Sequence, residues 1–420
     1  MILKVFRLTT ASALAIAAAL GAASAAVIEG RVTDGAGATP LDGALVRVEE
    51  TGQVVAAGRD GRFRIAALPA GSYTLIVTYV GAEQQRFTVT LESDDAVARP
   101  DLRIGADLEV FDNVLVVGQR GALNSALSQQ RASDKVITVI ASDAIGQLPD
   151  ENVAEAARRA AGINILNDQG EGRFISVRGA DPNFVSTTLN GVRIPSPEAE
   201  ARQTPLDVID SDILSAIVIT KSLTPDIDAD SIGGNVEIRT LSGLDQKNLL
   251  FKLKAAGLYA NQTEDFGHRY SAIAANQFLD GRFGVAASAA WQRRNFGSEN
   301  IEVDGPEYLF EGDIAYPAEL EQRDYLITRQ RFTGSLNLDY QATDALKFYV
   351  TGIYSEFSDD EIRTRSENKF GDGVFDPAAS GASVAVIQAS EDDEYEVDRD
   401  VRSRFEEQTI YSIVGGADYQ

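Results

Sequence analysis

The chain has 420 residues with 38 Lys and Arg against 63 Asp and Glu, which gives a net charge of −25. Such an acidic chain lacks the basic surface that nucleic-acid binding needs. It has no cysteine, which rules out disulfides and thiol chemistry, and with His268 as its one histidine the zinc, haem and Ser-His-Asp hypotheses lose their usual side chains. We therefore predict no enzyme, no catalytic residue, no metal site and no cofactor.

The first 25 residues have the pattern of a secretory signal peptide. Lys4 and Arg7 form a charged start, residues 8–20 are apolar, and Ala23-Ser24-Ala25 is a small-residue cleavage site. No later segment approaches the ~18 to 20 apolar residues of a membrane-spanning helix. We expect an exported chain, and any membrane crossing would have to use strands.

Residues 26–104 alternate short β-rich runs with turns such as Asp60-Gly61 and Pro69-Ala70-Gly71. This pattern predicts a small β-sandwich. The segments carrying it resemble the carboxypeptidase regulatory-like (transthyretin-like) domain: residues 30–34, 40–46, 60–63 and 68–73. A generic β spacer would show nearly the same pattern, so no role follows from it.

Residues 105–119 are interpreted as a linker that ends in an apolar segment, Val114, Leu115, Val116, Val117 and Gly118. An exposed strand of this kind can add to the sheet of another protein through backbone hydrogen bonds. The alternative is a last strand of the preceding sandwich.

Residues 120–240 have mixed character and predict a compact α+β domain. A strand is expected at 136–140, a helix start at Ser142-Asp143, and a second helix at 153–161 capped by Asn152. Several strands follow, two of them joined by Asn190-Gly191, a strong hairpin turn.

From about residue 245 to 420 the pattern changes to long alternating strands. In residues 283–291 Phe283 and Trp291 share one face, which suits a tilted strand crossing an apolar band of ~25 Å between aromatic girdles. We interpret Trp291 as an interfacial anchor rather than a sugar-stacking residue. Short connections at 279–282 and 342–345 alternate with long acidic ones at 293–324 and 358–400, as in outer-membrane barrels.

Short motifs follow one another at residues 114–118, 173–179, 188–195, 216–221 and 231–240. Their order resembles a TonB-dependent outer-membrane receptor. The resemblance makes residues 114–118 the TonB box, which captures TonB and its inner-membrane energising complex, and residues 120–240 the plug of a barrel of about 22 strands. Its plug motifs lie at 173–179, 188–195, 216–221 and 231–240. It implies structural roles for Arg173, Arg178, Gly179, Asn190, Gly191, Gly233 and Gly234. We further expect Arg178 and Arg239 to pair with acidic residues of the barrel lumen, and the loops 181–183 and 196–200 to face substrate.

The predicted fold is mainly β: a small β-sandwich, an α+β plug, then part of an antiparallel transmembrane β-barrel. The resemblance implies an importer in the cell outer membrane, in contact with its lipid. Its ligand would be a scarce nutrient, with an oligosaccharide favoured over a ferric siderophore or vitamin. The alternatives are an outer-membrane ligand sensor and an exported glycan-binding sandwich protein. About six barrel strands cannot enclose a plug, so we expect an N-terminal fragment of a longer receptor.

Overall fold

A computed structural model describes residues 26–37, 39–105, 114–141, 150–198, 201–225, 227–246, 248–303, 308–343, 345–389 and 396–419, with the side chains of 114–121 left out. The chain forms two compact units, Met1–Asn113 and Val114–Gln420. The predicted signal peptide and the helix start at Ser142-Asp143 lie outside the described residues. Within the described residues, no helix is long and apolar enough to cross a membrane.

The first unit is a β-sandwich of two four-stranded sheets. One has the order β4-β1-β7, with β8 also paired to β1, and the other has the order β3-β2-β5-β6. The strands are β1 (Ala26–Asp34), β2 (Leu45–Val48), β3 (Val54–Ala56), β4 (Arg62–Leu68), β5 (Gly71–Thr78), β6 (Gln85–Leu91), β7 (Val97–Ala98) and β8 (Asp101–Ile104). Their alternate residues, including Ile28, Val46 and Leu75, are fully buried between the sheets. The predicted sandwich is confirmed.

The second unit begins with an α+β domain, which we call the plug (residues 114–246). A five-stranded sheet of order β13-β12-β15-β14-β9 forms its centre, with a separate hairpin of β10 and β11. The elements are α1 (Val114–Ala132), β9 (Ile137–Ala141), α2 (Val153–Ala157), β10 (Ile163–Asp168), β11 (Glu171–Val177), β12 (Val185–Leu189), β13 (Val192–Arg193), β14 (Leu214–Thr220) and β15 (Gly234–Thr240), with 3₁₀ turns at Pro182–Phe184, Ser211–Ile213 and Gly243–Asp245.

The plug packs on a six-stranded antiparallel sheet of order β16-β17-β18-β21-β22-β25, which we call the wall. Two small hairpins, β19 with β20 and β23 with β24, lie in its long connections. The strands are β16 (Leu250–Ala260), β17 (Asp265–Phe278), β18 (Phe283–Glu302), β19 (Tyr308–Glu311), β20 (Ile314–Pro317), β21 (Glu319–Gln341), β22 (Leu346–Lys369), β23 (Val374–Phe375), β24 (Ile387–Gln388) and β25 (Glu396–Tyr419). The partial barrel predicted from the alternating pattern is confirmed.

The apolar segment at residues 114–118 is not the predicted strand. Its backbone forms the start of α1. The residues that follow are rich in Ala, Leu, Gln and Arg and contain no Pro, so a helix that forms there extends into the apolar segment. The second half of α1 is anchored because Ala126 packs in a cluster with Val139 and Val218 of the plug sheet.

The helix predicted at 153–161 is shorter than expected. It ends at Ala157, and Gly162, with a φ of 73°, follows a turn. Asn152 caps it as predicted, since its side chain accepts from the Glu155 amide at 2.9 Å. The Glu155 carboxylate does not close the capping box. It accepts from the Gly172 amide at 2.7 Å and so ties α2 to β11.

The long connections are also shorter than predicted, because the strands continue into them. β18 and β21 pair as far as Glu302 with Glu321, and β22 and β25 as far as Lys369 with Glu396. These ends are rich in acidic and other polar residues, a composition that we interpreted as loop. Antiparallel strands tolerate it, because such a sheet can face water while its ladder hydrogen bonds are kept.

Two rows of aromatic side chains mark the outward face of the wall. In the first row Phe278 pairs with Phe283, and the row is completed by Tyr340, Phe348 and Tyr419. In the second row Tyr270 stacks on Trp291 with ring centroids 6.0 Å apart, and the row is completed by Phe332, Tyr354 and Tyr411. Phe283 and Trp291 lie eight residues apart on β18, about 26 Å along the strand. Between the rows the outward residues are apolar except Asn276 of β17.

Gly284 lies where the 3₁₀ turn after the plug meets the wall. A Cβ at Gly284 would lie 2.5 Å from the Leu244 backbone nitrogen, whereas one at Gly257, also on a wall strand, would meet nothing within 4 Å. We predict that Gly284→Ala lowers the free energy of unfolding by about 1 to 3 kcal/mol because backbone must shift. Gly257→Ala should leave it within about 0.5 kcal/mol. Denaturant titration of the purified full chain measures both, and equal midpoints would contradict this close approach.

Candidate functional site: the interface between plug and wall

The plug and the wall share one hydrophobic core. The plug strands contribute residues such as Ile217 and Ile238, and the inward face of the wall contributes Ala290, Ile353 and Phe357. All are at most 4 % exposed. The polar groups around this core therefore meet in surroundings from which water is largely excluded, where each charge needs a partner.

Glu171 is the centre of the first polar cluster. It is the first residue of β11, directly after the Gln169-Gly170 turn, and is 2 % exposed. Its carboxylate accepts from Arg294 at 2.5 Å, from Arg329 at 3.0 Å, and from Arg331. All three arginines point inward from the wall strands β18 and β21. One plug carboxylate thus binds three wall guanidinium groups.

The tip of the β10–β11 hairpin is held by a second carboxylate. Asp168 accepts from Arg329 at 2.9 Å and from Arg173 of the plug itself at 3.0 Å. Arg329 also reaches Asp359 of β22 at 3.3 Å. At the turn, Asn300 of β18 donates to the Gln169 side chain at 3.2 Å. The hairpin is therefore fixed to the neighbouring wall strands β18 and β21, and Arg329 links this contact to β22.

Two wall phenylalanines line the arginine cluster. The Arg294 guanidinium lies 4.2 Å from the ring centroid of Phe296, and that of Arg331 lies 5.2 Å from the ring of Phe357. Cation–π contacts of this kind are strongest where water is excluded. They hold the guanidinium planes in position on the wall side, so the donors face the plug.

A second cluster lies at the plug segment 210–212. Arg269 of β17, 4 % exposed, donates to Asp210 at 2.6 Å and lies 3.1 Å from a carboxylate oxygen of Asp212. Lys254 of β16 also donates to Asp212, at 2.9 Å. The polarity matches that of the first cluster, with plug carboxylates meeting wall cations. Burial raises the pKa of Asp210, and Arg269 opposes that rise.

Neutral hydrogen bonds complete the interface. The Ser355 hydroxyl donates to the Val208 carbonyl at 2.5 Å, and the Asp210 amide donates to Thr333 at 3.2 Å. Near the end of β15, the Asn337 side chain donates to Thr240 at 2.9 Å and to the Leu241 carbonyl at 2.6 Å. These contacts hold the plug backbone on the wall, while the two charged clusters hold its side chains.

Two plug carboxyls, Glu151 and Glu171, have pKa values shifted from the ordinary one for glutamate. Burial, and then the nearby charge of Glu171, raise the pKa of Glu151 to about 7. Burial also opposes the charge of Glu171, but Arg331, Arg329 and Arg294 together hold its pKa well below the usual range. Glu171 therefore stays ionised while Glu151, beside it, titrates near neutral pH.

Asp207 is a third buried carboxyl at this interface. It is completely buried, neither carboxylate oxygen accepts a hydrogen bond, and the closest cation, Arg173, is 4.0 Å away. Burial raises its pKa to about 6 against the opposing charges of Arg173 and Arg331. Its backbone carbonyl is well bound, because Arg331 donates to it at 2.6 Å.

The plug-motif residues predicted from sequence have mainly local contacts. Arg173 binds Asp168 and Glu198 and lies 3.8 Å from Glu406 of the wall. Asn190 and Gly191 form the predicted hairpin turn with φ of 46° and 85°, and Asn190 also bonds Thr351 of the wall at 3.3 Å. These observations describe positions, and the structural roles that the resemblance implies stay predictions.

The motif glycines occupy positions where a side chain would not fit easily. Gly179 and Gly234 have positive φ, at 78° and 143°. A Cβ at Gly233 would lie 2.9 Å from Ala180, and one at Gly234 would lie 2.9 Å from the Thr220 carbonyl oxygen. The absence of a side chain at these two glycines lets the start of β15 lie close to Ala180 and to Thr220 of β14.

Arg178 and Arg239 both have contacts within the plug. Arg178 donates to the Lys221 carbonyl at 3.1 Å. Arg239 pairs with Glu237 on its own strand and donates to Gln129 of α1. Their pairing with lumen carboxylates stays a prediction, and in the buried ion pairs of this interface the plug mostly supplies the carboxylates and the wall the cations.

The two loops expected to face substrate contact the plug itself in their described parts. Asp181 caps a 3₁₀ turn through the Asn183 amide at 2.8 Å, and Asn183 accepts from the Arg202 amide at 3.1 Å. In the other loop Glu198 binds Arg173, and residues 199–200 lie outside the described part of the chain. A role in ligand binding stays a prediction.

Sequence reasoning missed the wall arginines. Arg294, Arg329 and Arg331 lie in segments that we interpreted as external loop or left without a role. The alternation of a strand would identify two of them. Arg329 and Arg331 are an even number of positions from Ser335 and Asn337, so they share the inward face of β21 with these residues. Arginine on the buried face of a strand requires a carboxylate partner.

A domain bound by buried ion pairs to the inner face of a wall of long antiparallel strands defines the class of plugged β-barrel proteins. Residues 129–235 match the profile of the TonB-dependent Receptor Plug Domain, and residues 27–104 match the Carboxypeptidase regulatory-like domain. Two segments of the chain are therefore similar to known domains: the plug domain of TonB-dependent receptors and, before it, a carboxypeptidase regulatory-like domain. TonB-dependent receptors are receptors and transporters and not enzymes.

Solved structures give more distant similarities. The siderophore receptor PirA from Acinetobacter baumannii is 14 % identical with a TM-score of 0.33, covering 67 % of this chain and 46 % of its own. A mutant of the ferric enterobactin receptor PfeA from Pseudomonas aeruginosa is 12 % identical with a TM-score of 0.34, covering 69 % and 46 %. The unliganded ferric citrate transporter FecA is 11 % identical with a TM-score of 0.35, covering 69 % and 60 %.

The chain thus spans less than half the length of the first of these receptors. No curated protein matches the sequence.

Because Glu171 binds three arginines, replacing its carboxylate by an amide should strongly lower the stability of the chain. Glu171→Gln keeps the shape but takes the carboxylate away from two buried guanidinium groups, Arg329 and Arg331, and from the part-exposed Arg294. We therefore expect a loss of about 3 to 5 kcal/mol in the free energy of unfolding. Glu237→Gln is the matched control, because that part-exposed plug carboxylate pairs with Arg239 on the same strand and should cost under about 1 kcal/mol. Denaturant titration of both variants is the measurement. Losses of equal size would show that the buried cluster does not hold the plug.

Proposed function

We propose that this chain is part of a TonB-dependent outer-membrane importer. The observation that carries the proposal is the plug domain held on the inner face of the wall by buried ion pairs. A plug attached in this way seals a barrel while polar, reversible contacts allow it to move. A plug and reversible plug–wall contacts have no use in catalysis, whereas controlled passage of a ligand through a barrel requires both.

The proposed location is the outer membrane. The two aromatic rows on the outward face of the wall lie about 26 Å apart along the strand, which a tilt of ~40° reduces to about 20 Å across the membrane. Tyr270 and Tyr354 in the second row are 51 % and 41 % exposed, a position that suits a lipid interface. This outward face argues against the alternative of a soluble glycan-binding protein.

The proposed coupling partner is TonB, captured by residues 114–118. Strand addition uses backbone N–H and C=O groups, and the first N–H groups of a helix have no intrahelical partner. The start of α1 therefore offers free backbone donors.

Val116 gives a direct test of this coupling segment. Val116→Pro removes one N–H needed by an added strand, yet proline is tolerated in the first turn of a helix, where Val116 lies. We expect at least a tenfold loss of affinity for the purified periplasmic domain of TonB, with ligand binding unchanged. Val116→Ala keeps the N–H and should retain most of the affinity. Normal TonB capture by the proline variant would remove residues 114–118 from this role.

The proposed ligand is an oligosaccharide. Beyond the first cluster, the inner face of the wall carries arginines already paired with carboxylates: Arg365 binds Glu321 and Asp400, both at 2.6 Å, and Arg323 binds Glu302 and Glu321. Such a surface offers fixed donors and acceptors without an excess of positive charge. It suits a neutral ligand rich in hydroxyl groups better than an anionic chelate.

Calorimetry separates the two ligand classes. We expect heat of binding with a set of neutral oligosaccharides and none with ferric enterobactin. Arg365→Gln should weaken oligosaccharide binding by about tenfold or more, because a hydrogen bond to a charged group contributes about 1.5 to 3 kcal/mol. Arg293→Gln, an exposed residue on the outward face, is the control and should bind normally. Binding of the ferric chelate alone would overturn the carbohydrate assignment.

A further inference from the structure

The geometry around Glu151 and Glu171 points to a proton-controlled latch between plug and wall. We propose that a proton held by Glu151 keeps the β10–β11 hairpin docked on the wall arginines, and that loss of this proton loosens the hairpin. The inference concerns docking of the plug and does not depend on transport or on the nature of the ligand.

The two carboxyls compete for one donor. The same Arg294 nitrogen donates to Glu151 at 2.8 Å and to Glu171 at 2.5 Å. Glu171 also binds Arg329 and Arg331, so its charge is compensated. The side chain of Glu151 is 17 % exposed and has no second cation within ion-pair distance among the described residues. When Glu151 ionises, its charge therefore faces that of Glu171 with only a shared counter-ion.

The charged groups that face Glu151 come from three elements. Glu171 of β11 repels its charge, and Arg294 of β18 and Arg331 of β21 attract it. The net result of burial and of these charges is a pKa of about 7, against an ordinary value of 4.5. Because the pKa is raised in the docked state, docking binds a proton between about pH 4.5 and 7. The docked hairpin is therefore favoured at low pH and loses stability as the pH rises through this window.

Asp207 extends the same behaviour to a neighbouring plug segment. It faces Arg173 and Glu171 of β11 and Arg329 and Arg331 of β21, and it titrates near pH 6. Ionisation would place a second poorly compensated charge under the same arginines, since neither of its carboxylate oxygens accepts a hydrogen bond. Both groups respond to pH in the same direction, but with different midpoints.

A spin label on the hairpin tests the latch. The chain has no cysteine, so Leu166→Cys gives one labelling position, on β10 at a side chain that is 48 % exposed. We expect the ratio of mobile to immobile label in the detergent-solubilised full chain to rise by about tenfold between pH 6 and 8. Nitroxide mobility has no titration of its own in this range.

Two variants make the test specific. Glu151→Gln mimics the protonated carboxyl, so its spectrum should match the wild-type spectrum at pH 6 and show no transition near pH 7, leaving only the smaller change that Asp207 produces near pH 6. Glu237→Gln, which removes a plug carboxyl outside the latch, should keep the wild-type profile. A transition near pH 7 that persists in Glu151→Gln, or a wild-type spectrum that does not change with pH, would overturn the proposal.

Discussion

The structure of the second unit depends on the pairing of one buried carboxylate, Glu171, with three wall arginines. A guanidinium group on the inner face of a strand has a large desolvation cost unless it is paired. Arg329 and Arg331 lie next to each other on this face, so each also repels the other. A single plug carboxylate between them resolves both problems, and it does so only when the β10–β11 hairpin is in place. The wall and the plug are thus each incomplete without the other.

The direction of this charge pairing matters as much as its strength. Plug carboxylates meet wall cations in both clusters, at Glu171 and at Asp210 with Asp212. Burying ion pairs contributes little net stability compared with apolar packing, but a wrong alignment would leave charges unpaired at a high cost. The clusters therefore act mainly on register and orientation, while the shared core around Ile217 and Phe357 supplies the apolar burial.

The sequence predicts the periodic parts of this fold well. Alternation in residues 283–291 identified the outward face of β18, and Asn190-Gly191 identified a hairpin whose two turn residues have the required positive φ. Asn152 was correctly identified as a helix cap. Each of these features depends on neighbours in the chain, so a local pattern is sufficient to find it.

The charged interface was not predictable in the same way. The contact between Glu171 and Arg331 joins residues 160 positions apart in the chain, and nothing local distinguishes Glu171 from a surface glutamate. The charged ends of the wall strands were taken as loops because these segments are acidic and rich in turn residues. Their strand structure follows from pairing with a neighbour, as between Arg365 and Asp400, which a single segment cannot reveal.

The helix observed at residues 114–118 is compatible with the extended strand that the proposed coupling role requires. Extended backbone is needed for strand addition, and the structure gives a helix. The first turn is the least costly part of a helix to unwind, since its N–H groups have no intrahelical partner and Gly118 and Gly121 have weak helix propensity. If only a minor fraction of molecules is extended, the affinity for the partner equals the affinity of the extended form multiplied by that fraction. The anchored half, where Ala126 packs on Val139, then limits unwinding to the beginning of the helix. Under the proposed coupling role, a segment with this balance would stay helical when idle and become a strand only when a partner supplies the missing backbone hydrogen bonds.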